Sequence, residues 1–466
     1  MVTWWLDCVA PKRSCFIRWA EVSVSSDRVV AKDASMLSGS RQESRHRILV
    51  LGAPAGVRAS IAAAQAAGFH VIAADANPNA GGLALADEGV VCAVQRSDDV
   101  IDVARRFRAD GIIATTDFAV LAAATAAREL GLPGIDPLAA RNAISKLRMR
   151  ECWTRSSLAQ PRVAVVHDRQ ALEAAAMTLG FPVVCKPASA LGGGSRGVSI
   201  ARDHGALSGA WEAANAVSPD GVVLVEQCVA AISEHSVEVL FHDGIAHVLA
   251  IGDKIKTPEP YRVDLAVCYP TALDKQTARD VMTLAEASAR ALGITYGMAH
   301  VEIGVTAHGP QLFELGARCG GGATAAPVVP LATGIDEFAE ACRIACGAPP
   351  LRTEAVHERG VCYRFITPRV GRHLDAERLD MVRRQPGVVA LDVWGADPVV
   401  GDATVRSGAD RIGALVTTAP TRAEAMAIAD GALDAIDVEW FTTPAPARSS
   451  YSRAVRMPGT ANPNPA

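Results

Sequence analysis

Residues 299-AHVEIGVTAHGPQLFELGARCGGG-322 set two glutamates, Glu302 and Glu314, on either side of a tight turn and follow them with Arg318 and three glycines. AHVEIGV and PQLFELGA alternate apolar and polar residues, the period of a half-buried strand. Ala307, His308 and Gly309 between them predict a three-residue turn with glycine at its left-handed position. That turn pairs Val301 with Leu315 and Ile303 with Phe313 on an apolar face. It sets Glu302 opposite Glu314 on the other face, together with His300, Gly316 and Arg318. Cross-strand partners stand about 4.5 to 5.5 Å apart at Cβ, where like charges repel. A cation between them is the economical answer: Mg2+, or Mn2+ in its place, is typically held by one or two carboxylates plus phosphate oxygens and water. Arg318 fits a bidentate grip on an anionic oxygen, and the N–H groups of Gly320, Gly321 and Gly322 fit an anion-binding nest. The competing reading is an exposed hairpin whose acids are merely solvated.

Upstream, FPVVCKP is a short apolar strand with Lys186 near its end, and SALGGGSRGVSIA reads as a glycine-rich turn and a returning strand. Backbone N–H groups of such a loop surround phosphate oxygens, with the lysine as a point charge beside them. A P-loop is excluded, because the lysine precedes the glycines. A flexible hairpin with a solvated lysine remains the alternative. GVVLVEQCV is a strand ending in Glu226. ISEHSVEVLF alternates so that Glu234 and Glu238 share a face, which on its own reads as a solvated strand face. Lys254 and Lys256 fall in GDKIKTPEP, read as a loop with solvated lysines.

From Arg47 the chain reads strand, turn, alanine-rich helix, strand HVIAAD, then further βα units through ADGIIATTD and VLAAATAAREL, a small doubly wound domain. Gly52, Gly56 and Asp75 sit as in dinucleotide folds, but a GxGxxG fingerprint would need glycines at Pro54 and Val57, which argues against NAD. The chain has 466 residues, half of them apolar, 46 Lys+Arg against 50 Asp+Glu, and 11 cysteines without a CxxC pair. Nucleic acid is an unfavoured partner for that charge balance. The cysteine usage points to a reducing cytoplasm, and no apolar run of about 18 residues predicts a membrane span. Residues 1–45 lack periodicity and read as a disordered or mis-assigned extension, with Met36 as an alternative start. The proline-rich residues 442–466 read as a disordered tail.

The order of these pieces resembles the ATP-grasp superfamily of carboxylate–amine ligases, over about residues 46 to 440. The resemblance implies an α/β ATP-grasp fold: a Rossmann-like domain over 46–140, an ATP-grasp domain over 141–350 with its lid at about 155–230, and a small C-terminal α+β lobe over 351–441. It implies that Lys146, in ISKLRMR, and Lys186 contact ATP phosphates and that Gly192, Gly193 and Gly194 close over them. Glu226, Gln227, Cys228 and Val229 match the adenine hinge and Glu234 the ribose-binding acid. Glu302 and Glu314 match the Mg2+ ligands, and Arg318 and Lys186 the catalytic cations.

One position departs from the pattern. Many members carry asparagine two residues after the second glutamate, and Gly316 stands there, which bears on metal affinity or number. The glycine run after Arg318 is most similar to the L-amino acid ligase branch, while RCGGG lacks the R-x-Q-V-E of biotin carboxylases. The implied chemistry is phosphorylation of a small carboxylate by ATP, then attack by an amine on the acyl phosphate, in a chain for which a homodimer is the base-rate expectation. A carboxylase using bicarbonate and a non-catalytic nucleotide- or metabolite-binding protein are the alternatives.

Overall fold

The computed structural model describes residues 45–189, 194–369, 372–394 and 403–439. The expectations for residues 1–44 and 442–466, and for Gly192 and Gly193, lie outside these residues.

The chain first builds a parallel sheet. β1 (Arg47–Leu51), α1 (Arg58–Ala66), β2 (His70–Asp75), β3 (Glu88–Val91), α2 (Ser97–Phe107), β4 (Gly111–Ala114) and α3 (Asp117–Leu130) follow in sequence. The strand order is β3-β2-β1-β4, parallel throughout. Ile48 to Leu51 are buried on both faces, as strands covered by helices on both sides must be. Asp75 ends β2. Its carboxylate accepts the N–H of Ala53 at 2.7 Å and that of Asn77 at 2.8 Å, holding the turn after β1. Asp117 opens α3 just beyond the carboxyl end of β4, the edge at which doubly wound sheets take ligands.

After α4 (Pro137–Ala143), α5 (Lys146–Arg155) starts at Ser145, whose side chain caps the N–H of Arg148. A lid follows: β5 (Val163–Val166), α6 (Arg169–Leu179), β6 (Val183–Pro187), β7 (Ser199–Ala201), α7 (His204–Asn215) and β8 (Val223–Gln227). Its antiparallel sheet has the order β5-β8-β6-β7. Leu172, Cys185, Trp211 and Val225 form a separate small core under it.

The remainder is β9 (Ser233–His242), β10 (Ile245–Lys256), β11 (Asp264–Tyr269), α8 (Lys275–Leu292), β12 (Gly297–Thr306), β13 (Gly309–Gly316), α9 (Val329–Thr333) and α10 (Glu337–Ala345). Then come β14 (Gly360–Ile366), β15 (Arg372–Leu374), α11 (Ala376–Arg383), β16 (Val388–Val393), β17 (Gly413–Ala419), α12 (Arg422–Ile436) and β18 (Asp437–Glu439). An eight-stranded sheet of order β13-β12-β9-β10-β11-β14-β17-β16 runs through both the central domain and the C-terminal lobe, and β15 pairs with β18. This is the ATP-grasp fold.

Three local expectations are corrected. The hairpin turn has two residues, Ala307 and His308, and closes on the Thr306–Gly309 pair. Thr306 Oγ1 accepts from His308 N at 3.0 Å and donates to Gly309 O at 2.9 Å, which shuts the turn one residue early. A bulge at Phe313 then absorbs the offset: Ile303 faces Leu312, not Phe313, while Glu302 still faces Glu314. Second, Lys254 and Lys256 are not solvated loop residues. They lie on β10, with side chains 3% and 8% exposed. Third, the face bearing Glu234 and Glu238 is not solvated, because the first side chain is 11% exposed and the second 0%.

Candidate active site

A cavity of about 650 Å3 opens between the lid, the large sheet and the parallel domain. β6 brings Lys186 to it, β8 brings Gln227, the segment after it brings Cys228 and Val229, and β9 brings Glu234. The hairpin brings Glu302 and Glu314, α3 brings Asp117, and the C-terminal lobe brings Tyr363, Phe365 and Arg411.

Glu226 is the hub of the lid side. It is buried, and Arg150, one helical turn after Lys146 on α5, grips it in a fork with Nε to Oε1 at 2.7 Å and Nη2 to Oε2 at 3.0 Å. The remaining donors of Arg150 reach the carbonyls of Leu312 and Phe313, both at 3.0 Å, so the bulge is tied to α5. Lys186 Nζ stands 2.8 Å from Glu226 Oε2. Burial lowers the Lys186 pKa to about 8, with Glu226 opposing and Arg150 and Lys146 assisting. Burial pushes the Glu226 carboxyl up, but the charges of Arg150 and Lys186 hold it below its ordinary range. Sequence reasoning missed Arg150, although its spacing of four from Lys146 puts both on one helix face.

At the hairpin, the two glutamates each have a lysine. Glu314 Oε1 accepts from Lys146 Nζ at 2.7 Å, and Glu302 Oε1 from Lys254 Nζ at 2.6 Å. Burial would raise the Glu302 pKa, yet Lys254, His300 and Lys256 carry it well below the carboxylate range. Lys256 joins Glu234 at 3.1 Å and Asp264 at 2.9 Å, and Arg262 reaches Glu234 at 2.5 Å. Asp264, Arg262 and Asp117 were also missed, because each comes from a segment with no local motif.

Arg318 lies on the same side, with Nη2 2.8 Å from Asp117 Oδ2 and Nη1 2.9 Å from the Cys319 carbonyl. A Cβ at Gly316 would stand 3.2 Å from Asp117 Oδ1 and 3.3 Å from Arg318 Cζ, so the ion pair fills the space of a side chain there. His300 Nδ1 lies 2.5 Å from Glu238 Oε1, and Glu238 also takes the Gly320 N–H at 3.1 Å. Burial lowers the His300 pKa, but Glu238 prevails and lifts it to about 9. Glu337 is fully buried, and desolvation together with the charge of Glu238 raises its pKa well above the ordinary carboxylate value.

Gly194 has φ +66°, and its carbonyl accepts from Gly408 N at 2.7 Å, joining the glycine loop to the C-terminal lobe. At the end of β8, Gln227 N donates to the Arg162 carbonyl at 2.9 Å and Cys228 N to the Pro182 carbonyl at 3.0 Å.

A lid sheet folded over a cleft whose floor carries paired carboxylates and buried lysines defines an ATP-grasp protein. Residues 61–134 match the ATP-grasp N-terminal domain, 179–326 the ATP-grasp domain, and 364–440 the L-amino acid ligase C-terminal domain 2. The chain belongs to the ATP-grasp superfamily and carries an L-amino acid ligase-type C-terminal domain. An uncharacterized protein, y4rH, of Sinorhizobium fredii (strain NBRC 101917 / NGR234) is 27% identical over 329 residues, 68% of this chain and 65% of that protein. A D-alanine--D-alanine ligase of Stutzerimonas stutzeri (strain A1501) is 33% identical over 189 residues, 38% of this chain and 57% of the ligase. The chain thus spans less than two thirds of the length of either relative. The crystal structure of an L-amino acid ligase from Bacillus licheniformis superposes with TM-score 0.72 at 22% identity, over 85% of this chain and 99% of that one, a likeness of fold. Among the described residues no helix is long and apolar enough to cross a membrane.

Proposed function

We propose that this protein is an ADP-forming ligase that phosphorylates a small carboxylate with ATP and joins the acyl phosphate to an amine. The observation that carries the reading is the Glu302–Glu314 pair, facing each other across the hairpin with side chains 30% and 33% exposed. Each already accepts from one lysine, Lys254 and Lys146 respectively, and still presents carboxylate oxygen to the cavity. Two hard carboxylates facing a cavity suit Mg2+, which favours oxygen ligands and completes its shell with phosphate and water. Glu302 and Glu314 would hold it, and when bound it supplies charge neutralisation at the transferring phosphoryl group.

The chain's own residues do the rest by position and charge, as phosphoryl transfer requires. Lys186, fixed by Glu226, and Lys146, fixed by Glu314, present ammonium groups to the phosphates. Gly194 covers them and excludes water from an acyl phosphate. Gln227, Cys228 and Val229 receive the adenine by backbone and Glu234 the ribose. Arg318, held by Asp117, is the cation for the carboxylate being activated.

The test is ADP release with ATP and Mg2+ across pools of amino acids and other small carboxylates, with and without amines. Carboxylate-dependent release with a condensed product by mass is expected. Release that requires bicarbonate instead, or ATP binding with no release, overturns the reading. Glu314→Gln is expected to lower turnover by about 100-fold or more, the scale of one lost electrostatic contact in the transition state. Near-normal turnover in a folded variant would refute its role.

A further inference from the structure

Two of the nine cysteines among the described residues meet sulfur to sulfur behind the cavity. Cys268 on β11 and Cys362 on β14 are direct cross-strand partners in antiparallel pairing, and their Sγ atoms stand 3.6 Å apart. Both are buried, 0% and 2% exposed. Side chains alternate along each strand. The flanking Val267 and Tyr363, themselves paired, line the cavity, while the two thiols face the opposite core with Ala425 and Ala429 of α12. Arg364, two residues beyond Cys362, reaches Asp430 of α12 at 3.5 Å from that same face.

The spacing suits a covalent bond. Directly opposed residues hold their Cβ atoms about 4.5 to 5.5 Å apart, and a disulfide takes Cβ separations of about 3.5 to 4.5 Å with the sulfurs at about 2.05 Å. Side-chain rotation and a shift of the strands by a fraction of an ångström close the difference. The hydrogen-bonded contact between the sulfurs lowers the Cys268 pKa against desolvation, with the Arg422 charge assisting, and the same contact and burial raise that of Cys362. Cys268 is thus the sulfur that carries the thiolate, the nucleophilic form. In the eight-stranded sheet β11 is the last strand of the central domain and β14 the first of the C-terminal lobe. A bond here crosses the seam between them.

We propose that Cys268 and Cys362 are an oxidation site, closed to a disulfide by hydrogen peroxide, that fastens the C-terminal lobe to the central sheet. The Cys268 thiolate attacks one oxygen of the peroxide, the O–O bond breaks, and a sulfenic acid and hydroxide result, the hydroxide taking up the proton that Cys268 gave up. The Cys362 sulfur then attacks the sulfenic sulfur. The S–S bond forms, the S–O bond breaks, and the leaving hydroxide takes the Cys362 proton to become water. In sum two thiols are oxidised by two electrons and one peroxide is reduced to two waters. The two residues are 94 apart in sequence, and a link over so long a span removes much of the freedom of the unfolded chain. The proposal does not depend on the ligase reading.

Wild-type protein is treated with hydrogen peroxide, its remaining thiols are blocked with N-ethylmaleimide in denaturant, and it is digested without reductant for mass mapping. A peptide pair joined through Cys268 and Cys362 is expected, released by dithiothreitol and absent from Cys362→Ala treated in the same way. The oxidised protein is expected to melt about 5 °C higher than the reduced one, the scale for closing a loop of this length in a chain of this size. Cys362→Ala is expected to show no such rise. The linkage is read on wild-type protein, so it stands whether or not the variant folds. Sulfinic or sulfonic acid at Cys268 or Cys362 in place of the linked peptide overturns the proposal. So do two thiols still free when the half-buried Cys228 and Cys346 have been oxidised. A link that forms without raising the melting temperature overturns the fastening of the lobe.

Discussion

Gly316 shows how a single position is settled by its neighbours. The asparagine common at this place in similar proteins would project its side chain into the Arg318–Asp117 ion pair, since even a Cβ comes within 3.2 to 3.4 Å of both. These contacts are tight but lie at the ends of side chains, so the pair must shift before an asparagine fits. Gly316→Asn is therefore expected to lower turnover by about 10-fold through displacement of Arg318, the loss expected when a positioned catalytic group moves by a fraction of an ångström. Shortening the obstructing partner, in Gly316→Asn with Asp117→Ala, is expected to leave metal affinity higher than in the single variant. Steady-state kinetics and Mg2+ titration of the two proteins check this; an asparagine variant with full turnover would show that the ion pair does not fix Arg318.

At the scale of elements, the site works because strands and one helix are locked to each other by charge. Arg150 on α5 clamps Glu226 on β8 and the carbonyls at the β13 bulge, and Lys186 on β6 leans on the same glutamate. The lid is thereby held to the β12–β13 hairpin through one carboxylate and Arg150. Since Lys186 has its pKa lowered to about 8, its folded form gives up its proton as pH rises through that value, while in the unfolded chain it stays charged to a higher pH. On the proposed role of Lys186 at the phosphates, deprotonation removes a cation from them, so kcat/KM for ATP is expected to fall above about pH 8, and Lys186→Arg is expected to lose this alkaline limb. The same sign makes the lysine's burial a stability penalty at neutral pH that is relieved as pH rises past 8. A pH profile unchanged by the arginine would assign the limb to another group. Much of this element logic was legible: alternation in 299–322 placed Glu302 across from Glu314, and the strand before the glycines placed Lys186. The bulge was not, because a threonine side chain closes the turn early and only the tertiary grip of Arg150 on the Leu312 and Phe313 carbonyls shows where the extra residue goes. Lys254 and Lys256 were misread because the proline-bearing stretch after them suggested a loop, whereas their strand is long and its acids arrive from β9, β11 and β12. Arg411 has no local signal at all, since what distinguishes it is the lack of an acidic partner among the described residues.

Across the whole molecule, one sheet carries the site from β13 to the C-terminal lobe, so the lobe that bears Tyr363, Phe365 and Arg411 is continuous with the strand that bears Glu302. Its registration depends on a buried joint outside the cavity. Asp253 on β10 pairs with Arg422 at the start of α12, and it also takes His235 Nδ1 at 2.8 Å, Thr271 Oγ1 at 2.6 Å and Ala272 N at 2.8 Å. Ser233 completes the line at 2.7 Å from His235 Nε2, but β9, β10 and the 270s segment hold this chain of groups as a structural brace and it does not line the cavity. Burial raises the Asp253 pKa, and the hydrogen bonds from His235, Thr271 and Ala272 with the Arg422 charge bring it down to about 2. A carboxylate with a depressed pKa contributes stability that is full above its unfolded value and is lost as pH falls toward the folded one. Asp253→Asn is expected to destabilise the protein by about 3 kcal/mol at pH 7, the lower range for breaking a buried pair and leaving its partner behind. The gap to wild type is expected to narrow as pH falls from about 4 toward 2, where wild type itself becomes protonated. Urea unfolding of both proteins at pH 7 and pH 3 measures the gap, and an equal gap at the two pH values would mean that shape at position 253, not charge, fastens the C-terminal lobe and sets where Arg411 meets the cavity.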